Sequence, residues 1–195
     1  MEFDFFWTRS DPLQVKDSRL PGVKLLELLV HRDGRGYFVE TYDRRRYQDV
    51  GIEDRFVLDA ESLSATPGTL RGLHFQTPPH AQAKLVRCLS GRLFDVVVDL
   101  RRGSPTFGHH ETFELAGEDG RQLYVPEGFA HGFCTLEANT RVAYKLSDHY
   151  SPGHAKGIRW DDPDLGIEWP ELATPEMSEA DVSLPFLKDF PFVFE

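Results

Sequence analysis

Gly68-Thr69-Leu70-Arg71-Gly72-Leu73-His74 and Gly120-Arg121-Gln122-Leu123-Tyr124-Val125-Pro126-Glu127-Gly128-Phe129-Ala130-His131 share one plan. Each opens on a glycine, runs through strand-type residues and closes on a histidine; the second sets a Pro and a Gly just before its histidine. Around them, short alternating or apolar runs recur between Gly, Pro, Asp and Ser: Val23–Val30, Gly36–Thr41, Ala83–Leu89, Leu93–Leu100, His109–Leu115, Gln122–Val125, Gly132–Leu136 and Arg141–Leu146. Strand and turn signals at this spacing predict an all-β sandwich or barrel. Leu93–Leu100 is nearly all apolar and is expected to run through the middle of the sheet. Helical signal is thin. Arg44–Asp49 reads as a short helix, and Ser178-Glu179-Ala180-Asp181 as the start of another with Ser178 as N-cap.

Together the two stretches resemble the paired motifs of the cupins, G-x5-H-x-H-x3-4-E-x6-G and G-x5-P-x-G-x2-H-x3-N, which build a small jelly-roll β-barrel around a divalent metal. Here the ligand set is rewritten. The second histidine of the first motif is Gln76, and the glutamate position, counted back from Gly91, falls on Lys84. An ammonium beside a divalent cation adds repulsion and supplies no lone pair. The expectation is a metal-free pocket, in which a histidine removes a proton next to a carbonyl and a lysine stabilises the oxyanion.

The chain has 195 residues, a formal net charge of −10 and a sequence pI of about 5.3. That length suits a single domain over 1–195, with a barrel core at about 21–170 and ends that wrap the barrel or a partner subunit. The acidic balance argues against nucleic acid as a partner. Cys88 and Cys134 sit in apolar runs and read as buried reduced thiols. No window approaches the ~20 apolar residues of a membrane span. The start, Met1-Glu2-Phe3-Asp4, lacks a basic leader, so a cytoplasmic protein with no membrane partner is expected.

A lone histidine in a strand is usually structural, but the motif spacing reverses that expectation for His74. A base needs one ring nitrogen as acceptor and a partner to orient the other; Asp161 and Asp162, before Pro163, are both candidates. Lys84 lies in an otherwise apolar strand. Tyr144 would supply a phenol to return a proton from the opposite face. Arg35, between Gly34 and Gly36, has the backbone freedom to make forked contacts to a phosphate.

These residues, in order, resemble the dTDP-4-dehydrorhamnose 3,5-epimerase family. The resemblance is carried by Asp33-Gly34-Arg35-Gly36-Tyr37-Phe38-Val39-Glu40, Leu70–Gln76, Gln82–Val86, Phe94–Arg101, Ser104–Gly108, Pro126–Phe133, Tyr144-Lys145 with Tyr150, and Trp160-Asp161-Asp162-Pro163 before Trp169-Pro170. A weaker echo lies in Met177–Asp181. The resemblance implies His74 as base, Asp162 as its hydrogen-bonded partner, Lys84 near the C4 oxygen and Tyr144 as acid. It implies substrate contacts from Arg35, Glu40, Arg71 and His131, with Gln76 beside them, and stacking of Tyr150 on the nucleobase. It further implies catalysis without metal or organic cofactor, a nucleotide-sugar substrate, dTDP-linked, and a homodimer with exchanged N-terminal strands.

The sequence departs from the family pattern in three places. The Asn-x-Ser-x-Ser stretch is matched to Glu61-Ser62-Leu63-Ser64-Ala65, which would set Glu61 among the substrate contacts, near sugar and diphosphate, unless a cation pairs it. Ala155 takes a position often held by glutamate, and Thr135 replaces the second motif's Asn. The same residues would serve an epimerase of C3 or C5 alone, or one for a GDP- or CDP-linked ketosugar. A non-catalytic sugar-nucleotide binder and a metal-dependent cupin stand further off.

Overall fold

Antiparallel pairing dominates the computed structural model, which describes residues 13–170, 175–191 and 194. The first strands are β1 (Gln14–Asp17), β2 (Lys24–Glu27), β3 (Val30–Asp33) and β4 (Gly36–Val39), before helix α1 (Arg44–Asp49). Then come β5 (Leu58–Ser64), β6 (Leu70–Gln76), β7 (Lys84–Ser90) and β8 (Arg92–Asp99). β9 (His110–Ala116), β10 (Arg121–Val125), β11 (Phe129–Thr135), β12 (Thr140–Leu146) and β13 (Ala155–Gly157) follow, and helix α2 (Glu179–Val182) lies near the end. Among the described residues they form a six-stranded sheet, β1-β2-β10-β7-β12-β5, a five-stranded sheet, β13-β6-β11-β8-β9, and the separate pair β3-β4. This is the cupin-like all-β architecture with short peripheral helices that the motif pair predicts.

Three apolar layers hold the sheets. Between them, Val86, Leu123 and Val142 of the larger sheet meet Leu93, Val97 and Phe133 of the smaller. Outside the smaller sheet, Leu73, Phe75, Val96 and Val98 pack on Ile158 and Leu187. Outside the larger one, Leu26, Leu85 and Tyr124 pack on Tyr47 of α1 and on Ile52. Both faces of β8 are therefore covered, which accounts for its nearly continuous apolar run, broken at Asp95. Phe190 and Phe194 lie 5.2 and 6.0 Å from the Phe75 ring, so the described part of the Phe-rich close is core. Residues 1–12 and 171–174, expected to belong to wrapping ends, lie outside the described residues. Cys88 and Cys134 are buried and free.

Both helices start where their caps predict. Asp43 accepts from the Arg45 amide at 2.9 Å, and the Ser178 hydroxyl from the Asp181 amide at 3.1 Å. The run Val23–Val30 does not form one strand. At Leu28 the amide turns to the Gly120 carbonyl (2.7 Å), and the chain leaves the sheet between β2 and β3. β5 escaped the sequence reading because it is an edge strand with polar residues on both faces, Asp59 and Glu61 outward, Ser62 and Ser64 inward.

One irregularity positions the site. β6 pairs with β11 at His74↔His131 and Arg71↔Phe133, so two residues of β6 stand opposite Gly132 alone. This bulge returns Arg71 and His74 to the same face, where strict alternation would part them. A Cβ on Gly72 would lie 2.5 Å from the Gly132 Cα, and Gly72 has φ +129°. Gly72→Ala should therefore destabilise the protein by about 2–3 kcal/mol, read by chemical denaturation; an unchanged midpoint would mean that the bulge relaxes freely.

Candidate active site

The candidate pocket is defined by polar side chains on the faces that the two sheets turn towards each other. β6 contributes Arg71 and His74, β8 Asp95, β11 His131, β7 Lys84, β12 Tyr144 and β5 Ser62. Each lies on the inward face of its strand by register: His131 is opposite Val97, Phe133 opposite Asp95, and Tyr144 follows the buried Val142 by two. The bulge explains why a cation and an imidazole three residues apart can share this space.

His74 is half exposed at the mouth of the pocket, and its Nε2 lies 2.6 Å from Asp181 Oδ1. Asp181 stands in the first turn of α2, capped by Ser178, and the helix docks on β6. Burial raises the Asp181 carboxyl, but the His74 imidazole, the Gly72 amide and the Ser178 hydroxyl outweigh this and hold it below the ordinary range. A carboxylate at Nε2 favours the tautomer with the proton on that nitrogen and leaves Nδ1 as acceptor.

This corrects the expected partner. Asp162 is buried, but it accepts from the Asp164 amide at 2.9 Å and the Leu187 amide at 2.6 Å. It fastens the turn after β13 to the segment beyond α2 and makes no bond to His74. The signal that could have found Asp181 was Ser178-x-x-Asp181, a cap that places a carboxylate in a helical first turn.

Lys84 is buried, and its ammonium donates to the His74 carbonyl at 3.0 Å, which fixes it beside the imidazole. Burial lowers its pKa to about 8, against the opposing charge of Asp95. The Tyr144 hydroxyl lies 3.1 Å from Ser62 Oγ. Its phenol is pushed up to about 12 by burial, with Ser62 and Arg71 lowering it and Asp95 raising it, so it stays protonated at neutral pH. The Arg71 guanidinium donates to Ser64 Oγ and the Leu63 carbonyl, both at 3.2 Å, and ties β6 to β5 across the gap between the sheets.

His131 is buried, with Nε2 donating to Asp95 Oδ2 at 3.1 Å. Asp95 was missed by sequence reasoning, although an aspartate inside Leu93–Val98 was itself a signal. No three His, Cys, Asp or Glu side chains converge as a metal set among the described residues.

Other expected contacts fall elsewhere. Glu61 lies on the outward face of β5 and is paired by Arg141 at 2.6 Å, so it is no substrate contact within this pocket. The residue facing Tyr144 across the β5–β12 ladder is Ala60. The Asn-x-Ser-x-Ser pattern thus aligns one residue earlier, on Ala60-Glu61-Ser62-Leu63-Ser64; strand periodicity makes that single step the difference between inside and outside. Gln76 is also corrected. Its amide donates to the His80 and His149 carbonyls (2.7 and 3.1 Å) and accepts from the Ser151 amide (2.7 Å). With those bonds made, it clamps the loop carrying Tyr150, whose ring is 68% exposed. Thr135 has the structural role expected, donating to the Thr66 carbonyl and accepting from the Thr69 amide. Arg35 forks onto Asp33, and Glu40 pairs with Arg46 at 3.2 Å, both outside the pocket of their own chain.

Comparison with known proteins places the whole chain. The family profile described as dTDP-4-dehydrorhamnose 3,5-epimerase matches residues 17–189. The dTDP-4-dehydrorhamnose 3,5-epimerase of Sinorhizobium fredii is 48% identical over 192 residues, 96% of each chain. A crystal structure of the dTDP-6-deoxy-D-glucose-3,5-epimerase of Legionella pneumophila in complex with dTDP-4-keto-L-rhamnose superposes with a TM-score of 0.88 at 40% identity, covering 92% of this chain and 95% of that one. A crystal structure of the Bacillus anthracis dTDP-4-dehydrorhamnose 3,5-epimerase with TDP and PPi bound gives 0.87 at 44%, covering 89% and 99%.

Proposed function

The chain belongs to the dTDP-4-dehydrorhamnose 3,5-epimerase family, and from that premise we propose how its own residues invert C3 and C5 of dTDP-4-dehydro-6-deoxy-D-glucose. The observation that carries the reading is that His74 and Tyr144 lie on the inward faces of facing sheets, with Lys84 reaching from the Tyr144 sheet to the His74 carbonyl.

The 4-keto group acidifies the hydrogens at C3 and C5. Nδ1 of His74 removes one, and the C–H electron pair moves into an enolate with its charge on the C4 oxygen. Asp181 stabilises the imidazolium that forms. Lys84 and the groups near it hold the developing oxyanion, which lowers the barrier because that charge is greater in the transition state than in the ketone. Tyr144 then delivers its proton to the other face and inverts the centre. Repetition at the second carbon gives dTDP-4-dehydro-L-rhamnose. Between the two rounds the His74 imidazolium gives its proton to solvent and the Tyr144 phenolate takes one back, so each inversion starts from a neutral base and a protonated acid.

The exposed Tyr150 would stack on the nucleobase, and Arg71 would contact the substrate near His74. Arg35 and Glu40 would reach a pocket only in a second copy, so the functional unit is a homodimer that exchanges its N-terminal strands. The half-exposed His74 and the detached β3-β4 pair support this.

Proton NMR of dTDP-4-keto-6-deoxyglucose with the enzyme in D2O tests the assignment. Deuterium is expected at both C3 and C5. Entry at one carbon would make the protein a mono-epimerase, and entry at neither would overturn the reading.

A further inference from the structure

Asp95 has no part in the proton transfers above, yet it is 0% exposed on the inward face of β8. A buried carboxylate is costly unless its oxygens are paired. One oxygen accepts from His131 at 3.1 Å. The other, Oδ1, lies 3.0 Å from the same nitrogen but off its N–H direction, and has no hydrogen-bond partner. A well-satisfied structural aspartate looks different. Asp99, four residues on, accepts from Arg101, Ser104 and Thr106 together.

Resting on the proposed roles of the pocket, we propose that Asp95 is its positioning residue: the carboxylate orients the His131 ring and is the counter-charge that keeps Lys84 an ammonium. The titratable groups on the inward faces of the pocket strands are Arg71 and His74 from β6, Asp95 from β8, His131 from β11 and Tyr144 from β12, and the β12 residue paired with Lys84 is the apolar Leu146. From β10 the facing residue is the apolar Val125. Asp95 is the one carboxylate among these, and α2 supplies the other nearby, Asp181, already bonded to His74. Arg71 and a protonated His74 would both push Lys84 towards the neutral amine. Burial pushes the same way, and the Asp95 charge opposes it. The orphaned oxygen keeps that charge undiluted by a second donor.

The test is the pH dependence of kcat/KM for the wild type, Asp95→Asn, Asp95→Glu and Lys84→Met, with folding followed by thermal melting. The wild-type alkaline limb is expected to report Lys84 and to vanish in Lys84→Met. In Asp95→Asn it should move to lower pH by about one unit, because removal of a nearby anion favours the neutral amine. kcat/KM at neutral pH should fall about tenfold to a hundredfold as His131 loses its orientation. Asp95→Glu keeps the charge on a longer arm, so its limb should stay in place while its rate falls. If Asp95→Asn does not fold, Asp95→Glu decides, since a displaced limb there would overturn the proposal. A folded Asp95→Asn whose limb is unmoved would sink the proposal alone. A limb that survives in Lys84→Met would remove Lys84 from its assigned role, and the role of Asp95 with it.

Discussion

His74→Asn is expected to lower the entry of solvent deuterium at C3 and at C5 together, by about a thousandfold or more. Nδ1 of His74 is the acceptor left once Asp181 holds the other ring nitrogen at 2.6 Å. Asparagine offers an amide too weakly basic to take a carbon-bound proton, while it preserves much of the polarity and size. Because the loss falls on the first step, wash-in and inversion should drop equally, and KM should change little. Asp181→Asn should give a smaller loss of the same kind. Its amide can still accept from Nε2 but carries no charge to stabilise the imidazolium. The measurement is deuterium wash-in by proton NMR under saturating substrate. Persistent wash-in in His74→Asn would require another base, and His131 is held away from that task by its bond to Asp95.

How much of this was legible before folding depends on the distance over which each residue acts. His74, Lys84 and His131 are set by spacing inside two local motifs, so their convergence on one pocket could be read directly. The barrel was legible for the same reason: turn residues at short intervals and apolar runs such as Leu93–Leu100 report on strands one at a time. Asp181 was not, because it reaches His74 from 107 residues further along the chain through docking of a four-residue helix. Its only local trace is the Ser178 cap, which says that a helix begins and not where it lands. Asp162, the more conspicuous aspartate before a proline, belongs to the turn that helps fasten that segment. Glu61 shows the other limit. A pattern match shifted by one residue is harmless in a loop, but in β5 it turns an outward ion pair with Arg141 into an imagined charge in the pocket. Arg35 and Glu40 make local pairs with Asp33 and Arg46, and the substrate contacts proposed for them would need a second chain, which no pattern within one chain displays.

Tyr144→Phe separates the two halves of the reaction. The phenol is absent from proton abstraction, so His74 should still form the enolate, and deuterium from solvent should still enter the substrate. Without an acid on the facing sheet, the imidazolium exchanges its proton for solvent deuterium and returns that to the carbon on the face it left. The expected signature is deuterated starting material, with formation of dTDP-4-dehydro-L-rhamnose reduced by about a hundredfold or more. Some fall in wash-in is also expected, since the Ser62 hydroxyl loses its 3.1 Å partner and the barrel wall loses a polar contact. What decides the role is the ratio of wash-in to inversion, read in one NMR time course. The burial that raises the phenol to about 12 keeps it protonated across the working range, so the ratio in the wild type should not change between pH 6 and 9 on its account. A Tyr144→Phe enzyme in which exchange and inversion fall in step would place the acid on another residue or on water, and would reduce Tyr144 to a packing role.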